Sequence, residues 1–360
     1  VNDPEIDIVV ELVGGTGFAG DVVRNALKAG KNVVTANKAL LAEYGEEIFT
    51  LADSGSGSVS FEAAVGGGIP VVDPLKRSLV GNRINSVMGI LNGTTNYMLT
   101  RMSQEGISYA DVLADAQRLG YAEADPTADV EGHDAAAKIA LLSSMVFNSR
   151  VNVKDVYTNG ISTISPVDFE RARAMGYVIK LLAIGRRAAS GIDVRVHPAM
   201  LPASHPMASV NGVYNAVYVE GEPIGDVMFF GQGAGEGATA SAVMGNIIDA
   251  ARCIDEGSPV GFGCTCIYKL PYMPIEDLES RYYLRIEVKD VHGTLHAISE
   301  VFDECGISIK TLNQTPLSDS MSEMTFVTHR AKESDVQHAL KMISALDCCE
   351  SIGTLIRIEE

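Results

Sequence analysis

Residues 116–138 read AQRLGYAEADPTADVEGHDAAAK, and this stretch decides how the rest of the chain is interpreted. It begins as the end of a helix: Ser108 and Asp111 have capping-box spacing, and Gly120 stands where a left-handed C-terminal cap is expected. Carboxylates then crowd a loop that a proline interrupts. A second helix is predicted from Gly132 to Phe147.

The second helix carries an acid and a lysine four residues apart, Asp134 and Lys138, so their side chains share one face. Most such pairs are solvated surface pairs. Here the lysine's face also holds Leu141, Leu142 and Met145, and a helix that is apolar nearly all round is a buried one. Burial disfavours the ammonium while Asp134 favours it. The pattern therefore predicts a lysine able to give or take a proton near neutral pH, which favours a functional role.

The order and spacing of the residues from Glu123 to Lys138 resemble the signature of the homoserine dehydrogenase family. In that family, carboxylates of this stretch bind the substrate amino group and the lysine acts on the oxygen at the reacting carbon. The resemblance implies that Glu123 and Asp134 hold the substrate ammonium, that Asp129 orders the loop, and that Lys138 is catalytic. It also places Gly120 among the cofactor contacts.

Length and composition exclude several classes of protein. A chain of 360 residues can hold two or three domains. A net charge of −18 argues against binding to nucleic acid or to an anionic membrane. No apolar run approaches the length of a membrane span, and no secretory signal opens the sequence. The six cysteines form no CxxC pair, which favours free thiols in a reducing cytoplasm.

Residues 1–67 alternate strand and helix, which predicts a partial doubly wound (Rossmann) parallel sheet. The predicted elements are strand 6–13, helix 17–29, strand 32–35, helix 38–52 and strand 58–64. The glycines at 14–17 are interpreted as a tight turn, since the fingerprint of a dinucleotide fold belongs on its first strand. The pattern starts mid-strand at Val1, so we expect the second half of a dinucleotide-binding domain whose beginning is missing.

Two further segments are expected at the cofactor. Thr35–Lys38 ends a strand at the carboxyl edge of the sheet, where open α/β folds bind ligands. It resembles the family segment that faces nicotinamide and substrate, which implies that Lys38 is catalytic and binds cofactor. Gly231–Ser241 is a glycine loop leading into a predicted helix 240–252. In the family this segment returns to the nucleotide domain, which implies that Gly233 contacts NADP or NAD.

Phe61–Pro70 is predicted to be a strand end that runs into an irregular glycine turn. Successive glycines free the backbone to point carbonyls inward, which suits a hard monovalent cation or a close ligand approach. The alternative interpretation is a hinge between domains, and both interpretations can hold together. The resemblance implies a structural sodium ion held by the main-chain carbonyls of Glu62, Val65, Gly67 and Ile69.

The remaining chain is divided by composition. Residues 68–230 are expected to form an α+β catalytic and dimerisation domain with a mostly antiparallel sheet, in which His197 and His205 are structural. Residues 273–280 are expected to be a linker. Residues 281–360 have the βαββαβ order of a ferredoxin-like fold and resemble an ACT domain. That domain could bind an amino acid, with threonine implied by the resemblance, or serve only for dimerisation.

The family resemblance covers about residues 1–272, with residues 231–272 completing the nucleotide domain. It implies reversible, NAD(P)-dependent interconversion of L-aspartate 4-semialdehyde and L-homoserine in a cytoplasmic homodimer or homotetramer. Two other functions stay open. A catalytically inert amino-acid sensor would bind threonine but no dinucleotide. A different amino-acid dehydrogenase would share the fold, but the Glu123–Lys138 spacing argues against it.

Overall fold

Three short parallel strands open the computed structural model, which describes residues 1–359. They lie in the order β1-β2-β3. The elements are β1 (Ile8–Glu11), α1 (Phe18–Lys28), β2 (Asn32–Thr35), α2 (Lys38–Ser54) and β3 (Val59–Ser60). Apolar strand residues such as Val33 and Val34 are buried because helices cover the sheet. The predicted half of a Rossmann-type sheet is therefore confirmed.

The chain after β3 departs from the predicted strand end. Its elements are α3 (Ala63–Gly66) and α4 (Val72–Lys76). The carboxylate of Glu62 accepts the backbone N–H groups of Val71, Val72 and Asp73 at 2.6, 2.8 and 2.9 Å. These bonds cap α4 and fold the segment back on itself, which an extended strand could not do. Gly67, at φ 61°, ends the helical turn.

The middle of the chain builds a mostly antiparallel sheet with helices packed on it, as predicted. Its elements are β4 (Arg83–Ile90), α5 (Gly93–Glu105), α6 (Tyr109–Arg118), α7 (Thr127–Val130), α8 (His133–Phe147), β5 (Tyr157–Thr158), α9 (Pro166–Ala174), β6 (Tyr177–Ala188), β7 (Gly191–Pro202), β8 (Tyr214–Glu222), β9 (Gly225–Gln232) and α10 (Glu236–Asp255). Helix α8 lies between this sheet and α2, at the centre of the hydrophobic core. Helix α10 begins four residues before its predicted start.

The C-terminal unit has the predicted βαββαβ order, with an additional two-residue strand, β13, and with the final strand divided in two. Its elements are β10 (Glu279–Lys289), α11 (Thr294–Glu304), β11 (Ile309–Pro316), β12 (Met321–Thr328), β13 (Ala331–Lys332), α12 (Glu333–Ser344), β14 (Cys349–Ile352) and β15 (Ile356–Ile358). It has a hydrophobic core of its own. None of the helices described in residues 1–359 is both long enough and apolar enough to cross a membrane.

The C-terminal unit is joined to the rest of the chain by more than the linker that was expected at residues 273–280. Strand β15 pairs in parallel with β7, so one sheet runs through the central and C-terminal units. Within the predicted linker, the N–H of Met273 donates to the carbonyl of Ile192 at 2.8 Å. Buried Arg195 on β7 also pairs with Glu359 at 2.7 Å. Alternating strand patterns do not reveal which strands of different units become neighbours, so sequence could not show this junction.

Candidate active site

Helix α8 presents the acid–lysine pair in a buried position. Gly132 precedes it at φ 85°, and a Cβ there would lie 3.1 Å from the side chains of both Thr158 and Val196. A glycine is therefore required for α8 to start this close to the sheet. Lys138 is 8% exposed and Asp134 is 9% exposed. The predicted burial of this helix is confirmed.

Asp134 is the centre of a cluster of charges. Its Oδ2 lies 2.8 Å from Nζ of Lys138, and its Oδ1 lies 3.0 Å from Nζ of Lys38. The Lys138 ammonium also donates to the carbonyl of Leu91 at 2.7 Å. Burial by itself raises the pKa of Asp134, but the charges of the two ammonium groups and the hydrogen bonds from Lys138 and Asn92 outweigh it. The net pKa is well below the usual carboxyl range. One carboxylate thus joins two lysines from different parts of the chain.

A second carboxylate is joined to the first by an amide. Nδ2 of Asn92 donates to Oδ1 of Asp129 at 2.7 Å and to Oδ2 of Asp134 at 2.9 Å. Burial raises the pKa of Asp129; the hydrogen bond from Asn92 opposes this effect, and the charge of Asp134 adds to it. Two neighbouring carboxylates of this kind can bind an ammonium group.

Glu123 is not brought into this cluster. Its loop is fastened to α5, because Thr94 Oγ1 donates to the carbonyl of Tyr121 at 2.6 Å and the rings of Tyr97 and Tyr121 lie 4.9 Å apart. The Glu123 carbonyl accepts a hydrogen bond from Gln117 at 3.1 Å. The Glu123 carboxylate is exposed and has neither a hydrogen bond nor an ion pair within the described part of the chain. Its role as a substrate ligand stays a prediction.

Lys38 is positioned by a polar network at the carboxyl edge of the parallel sheet. Buried Glu11 accepts the Thr35 hydroxyl at 2.7 Å and the N–H of Gly14 at 2.8 Å. Asn37 caps α2 by accepting the N–H of Leu40 at 3.1 Å. Its Nδ2 donates to the carbonyl of the adjacent glycine turn at 2.7 Å. That turn and the start of α2 are therefore held together, and the predicted tight turn is confirmed by positive φ angles at its first two glycines.

The glycine segments pack closely against neighbouring parts of the chain. A Cβ on Gly233 would lie 1.9 Å from Nδ2 of Asn215, and one on Gly67 would lie 2.2 Å from the Gly233 carbonyl. Gly233 itself is buried, whereas residues 234–237 at the start of α10 are exposed. Gly235 caps α10 without a side chain, so its first N–H groups are available to an anion such as a phosphate. Exposed Gly120, at φ 78°, ends α6 as predicted.

The predicted sodium turn has donors that suit a hard cation. No group of three or more His, Cys, Asp or Glu side chains within residues 1–359 could hold a metal ion. The candidate ligands at Glu62, Val65, Gly67 and Ile69 are main-chain carbonyl oxygens instead, the donor type preferred by hard cations. The Glu62 carbonyl also accepts the N–H of Val65 at 3.4 Å. This ligand set stays a prediction.

Sequence reasoning missed two features of the site. The contact between Lys38 and Asp134 joins residues 96 positions apart, and no local pattern predicts such a distance. Asn92 was not among the predicted site residues. Its signal was available, because an asparagine before Gly93-Thr94-Thr95 is a typical N-cap whose amide nitrogen is left free for another partner.

Family models match three parts of the chain. Residues 1–62 match the homoserine dehydrogenase NAD-binding domain, residues 70–248 match homoserine dehydrogenase, and residues 282–348 match the ACT domain. Among curated proteins, the homoserine dehydrogenase of Corynebacterium glutamicum is 48% identical over 360 residues, covering 99% of this chain and 80% of that protein. The Synechocystis homoserine dehydrogenase is 47% identical, with 99% and 85% covered.

Solved structures give the same result. A homoserine dehydrogenase from Thiobacillus denitrificans superposes with a TM-score of 0.95 at 42% identity, covering 99% of this chain and 83% of that chain. A hyperthermophilic archaeal homoserine dehydrogenase in complex with NADPH superposes with a TM-score of 0.60 at 29% identity, covering 68% and 72%. Similarity to the Thiobacillus structure thus extends over the parallel sheet, the central sheet and the C-terminal unit.

Proposed function

The chain belongs to the homoserine dehydrogenase family, and we propose that the cluster around Asp134 is its active site. The family reaction is the nicotinamide-dependent interconversion of L-aspartate 4-semialdehyde and L-homoserine. The main observation that supports the proposal is that the carboxylate of Asp134 pairs with Nζ of Lys138 at 2.8 Å and with Nζ of Lys38 at 3.0 Å. When bound, the nicotinamide supplies the hydride chemistry, and the residues of the chain supply protons, charge and orientation.

Lys138 is proposed as the general acid and base. Its ammonium is held by Asp134 and by the Leu91 carbonyl, so the side chain has a fixed direction within a nearly dry site. During aldehyde reduction, Nζ donates a proton to the oxygen that develops negative charge. In the reverse direction, the same nitrogen accepts the hydroxyl proton of homoserine. Fixed geometry lowers the cost of bringing the proton and the oxygen together.

Lys38 is proposed to stabilise charge at the mouth of the site. Its side chain is 42% exposed, in contrast to 10% for Lys138. It starts α2 at the edge of the parallel sheet, where a nicotinamide ring enters in open α/β folds. A positive charge beside the reacting oxygen favours the transition state over the neutral aldehyde. Its position at this edge of the sheet, beside Asp134, also supports the proposed cofactor contact.

The substrate ammonium is proposed to bind the carboxylates of Asp134 and Asp129, with Glu123 closing over it. The two aspartates already share the Asn92 amide, which places them side by side. The Glu123 loop is exposed and lies next to the start of α5. An opposite charge on the substrate favours the ionised form of each carboxylate.

The proposed cofactor is NADP, with NAD as the alternative. The NAD-binding family match supports a nicotinamide cofactor, and the archaeal relative bound to NADPH supports the phosphorylated form. Gly233 and Gly120 are proposed as backbone contacts, because Gly120 is exposed and Gly233 directly precedes the exposed start of α10. A sodium ion on the carbonyls of Glu62, Val65, Gly67 and Ile69 would hold the turn that packs on Gly233.

The ACT domain indicates an amino-acid effector, and threonine is the proposed ligand. Gly293, at φ 90°, precedes α11 without a side-chain cap. Within the turn from Asp290 to Thr294, the N–H groups of His292 and Gly293 make no hydrogen bond in the described part of the chain, so they can donate to a carboxylate. Exposed Asn313 on β11 can contact a hydroxyl. Dimerisation through the same domain is the alternative role, and a homodimer or homotetramer is the proposed assembly.

The function is tested by titrating the purified protein with NADPH and assaying homoserine oxidation with NADP⁺ and NAD⁺ in parallel. We expect homoserine-dependent formation of reduced cofactor and a higher kcat/KM with NADP⁺. Because the chain contains no Trp, binding is followed through the fluorescence of the cofactor itself. Binding of threonine without any binding of dinucleotide would support an inert amino-acid sensor instead.

A further inference from the structure

We propose that Asn92 is a positioning residue of this active site, whose amide holds Asp129 and Asp134 at the spacing that receives the substrate ammonium. The inference rests on the proposed roles of those two carboxylates as substrate ligands. It concerns a residue that itself carries no charge and precedes the first turn of α5. Its action is on the geometry and ionisation of the acids rather than on the reacting atoms.

The hydrogen-bonding capacity of Asn92 is fully used, and this fixes its orientation. An asparagine side chain can donate two hydrogen bonds and accept two. Nδ2 donates to Asp129 and Asp134 at 2.7 and 2.9 Å. Oδ1 accepts the N–H and the hydroxyl of Thr95 at 2.8 and 3.0 Å. A reversed amide would place an oxygen against two carboxylates and leave the cap without an acceptor, so only one orientation is stable.

Asn92 and its neighbour connect three elements of the site. Asp129 lies on α7, Asp134 and Lys138 lie on α8, and Asn92 is the cap of α5. Leu91 accepts the Lys138 ammonium through its carbonyl at 2.7 Å. Two consecutive residues therefore contact both carboxylates and the proposed catalytic lysine. A shift at the start of α5 changes all three positions together.

The two carboxylates differ in how their charges are balanced. Asp134 pairs with two lysines, whereas Asp129 has no salt bridge within the part of the chain that the structure describes. Burial and the charge of Asp134 both raise the pKa of Asp129, and the strongest opposing influence is the hydrogen bond from Asn92. An ammonium bound between the acids supplies the positive charge that Asp129 lacks. The Asn92 amide thus favours the ionised form of Asp129 before the substrate arrives.

The residue type at position 92 serves two functions that substitutions can separate. Aspartate and serine both cap helices about as well as asparagine. Aspartate, however, would place a third carboxylate against the other two, and serine is too short to reach both. Asn92→Ser and Asn92→Asp therefore keep the cap and remove the contact with the acids. A role in capping alone predicts that neither change matters to substrate binding.

The test uses these two variants of the full chain, with Asn152→Asp as the matched control. Asn152 also caps a helical turn through its side chain, accepting the N–H of Lys154 at 3.0 Å. For Asn92→Ser we expect a folded protein with an unchanged cofactor KM and a homoserine KM raised at least ~10-fold, the scale for losing a hydrogen bond to a charged group. For Asn92→Asp, the acidic limb of kcat/KM for homoserine moves up by roughly one pH unit or more.

The outcomes separate this inference from the proposed function. A wild-type homoserine KM in Asn92→Ser together with an unshifted pH profile in Asn92→Asp overturns the positioning role. If the serine variant does not fold, the pH profile of the aspartate variant decides alone, because its shape matches the native residue. Failure of the wild-type protein to bind homoserine, measured by calorimetry, refutes the proposed function instead.

Discussion

Replacing Asp134 by asparagine removes the negative charge on which both lysines of the site depend. The substitution keeps the size of the side chain and its contact with Asn92, so the change is mainly electrostatic. We expect the protein to lose stability at neutral pH, because both ammonium groups then lose the carboxylate with which they pair. Activity should fall as well, since the Lys138 ammonium loses the group that directs it.

The magnitude follows from the geometry of the buried pair. At 2.8 Å, the attraction between Lys138 and Asp134 is about 6 kcal/mol in an effective dielectric of about 20. Desolvation of the two ions offsets part of this, and breaking a buried pair by removing one partner typically costs about 3–5 kcal/mol. Lys38 adds less, because its side chain is 42% exposed and solvent screens it. We therefore expect a loss of about 3–5 kcal/mol in the free energy of unfolding.

Urea denaturation of the wild type, Asp134→Asn and Asp125→Asn measures this loss. Asp125 is a matched control, because it is exposed and its carboxylate accepts hydrogen bonds only from Thr127 among the described residues. The folded-state pKa of Asp134 is lowered, so its contribution is present above the ordinary carboxyl pKa and is lost as the pH falls through the lowered value. The difference in unfolding free energy between the wild type and Asp134→Asn should therefore shrink below about pH 4. A loss no larger than that of the control would refute the reasoning.

Three further changes test other parts of the structure. Glu123→Gln should raise the homoserine KM and leave the cofactor KM unchanged; the opposite result would remove Glu123 from the substrate site. Burial lowers the pKa of Lys180 to about 8 from 10.5. The wild type should therefore gain up to about 3 kcal/mol of stability relative to Lys180→Met as the pH rises between these two values. Stability curves of the two proteins that stay parallel over this pH range would contradict the expectation. Gly293→Asp should abolish inhibition by threonine without changing uninhibited turnover, and inhibition that persists would place the effector elsewhere.

Local sequence patterns predicted the parts of the site that depend on neighbours in the chain. The spacing of Asp134 and Lys138, together with apolar residues around them, was sufficient to predict a buried ion pair on one helix. Gly120 was predicted as a helix end, and its φ angle is 78°. Helix geometry determines these features within a few residues, so they can be predicted without a structure.

Long-range contacts were not predictable in the same way. The carboxylate of Glu62 caps a helix nine to eleven residues further on, which turned a predicted strand end into a helical turn. The parallel pairing of β15 with β7 depends on how two separately patterned units meet. Because of this pairing, deleting residues 281–360 would disturb the central sheet as well as remove the regulatory unit. Cutting there would expose the edge of β7 and leave buried Arg195 without Glu359.

Turnover of Lys138→Ala tests the account most directly, with Lys28→Ala as a control at an exposed lysine of α1. Circular dichroism first establishes that the variant is folded. We predict that kcat for homoserine oxidation falls by at least ~10²-fold, the usual scale for losing a general acid or base, while the homoserine KM changes much less. A folded Lys138→Ala protein with near-normal kcat would contradict the assignment of Lys138 to the chemistry.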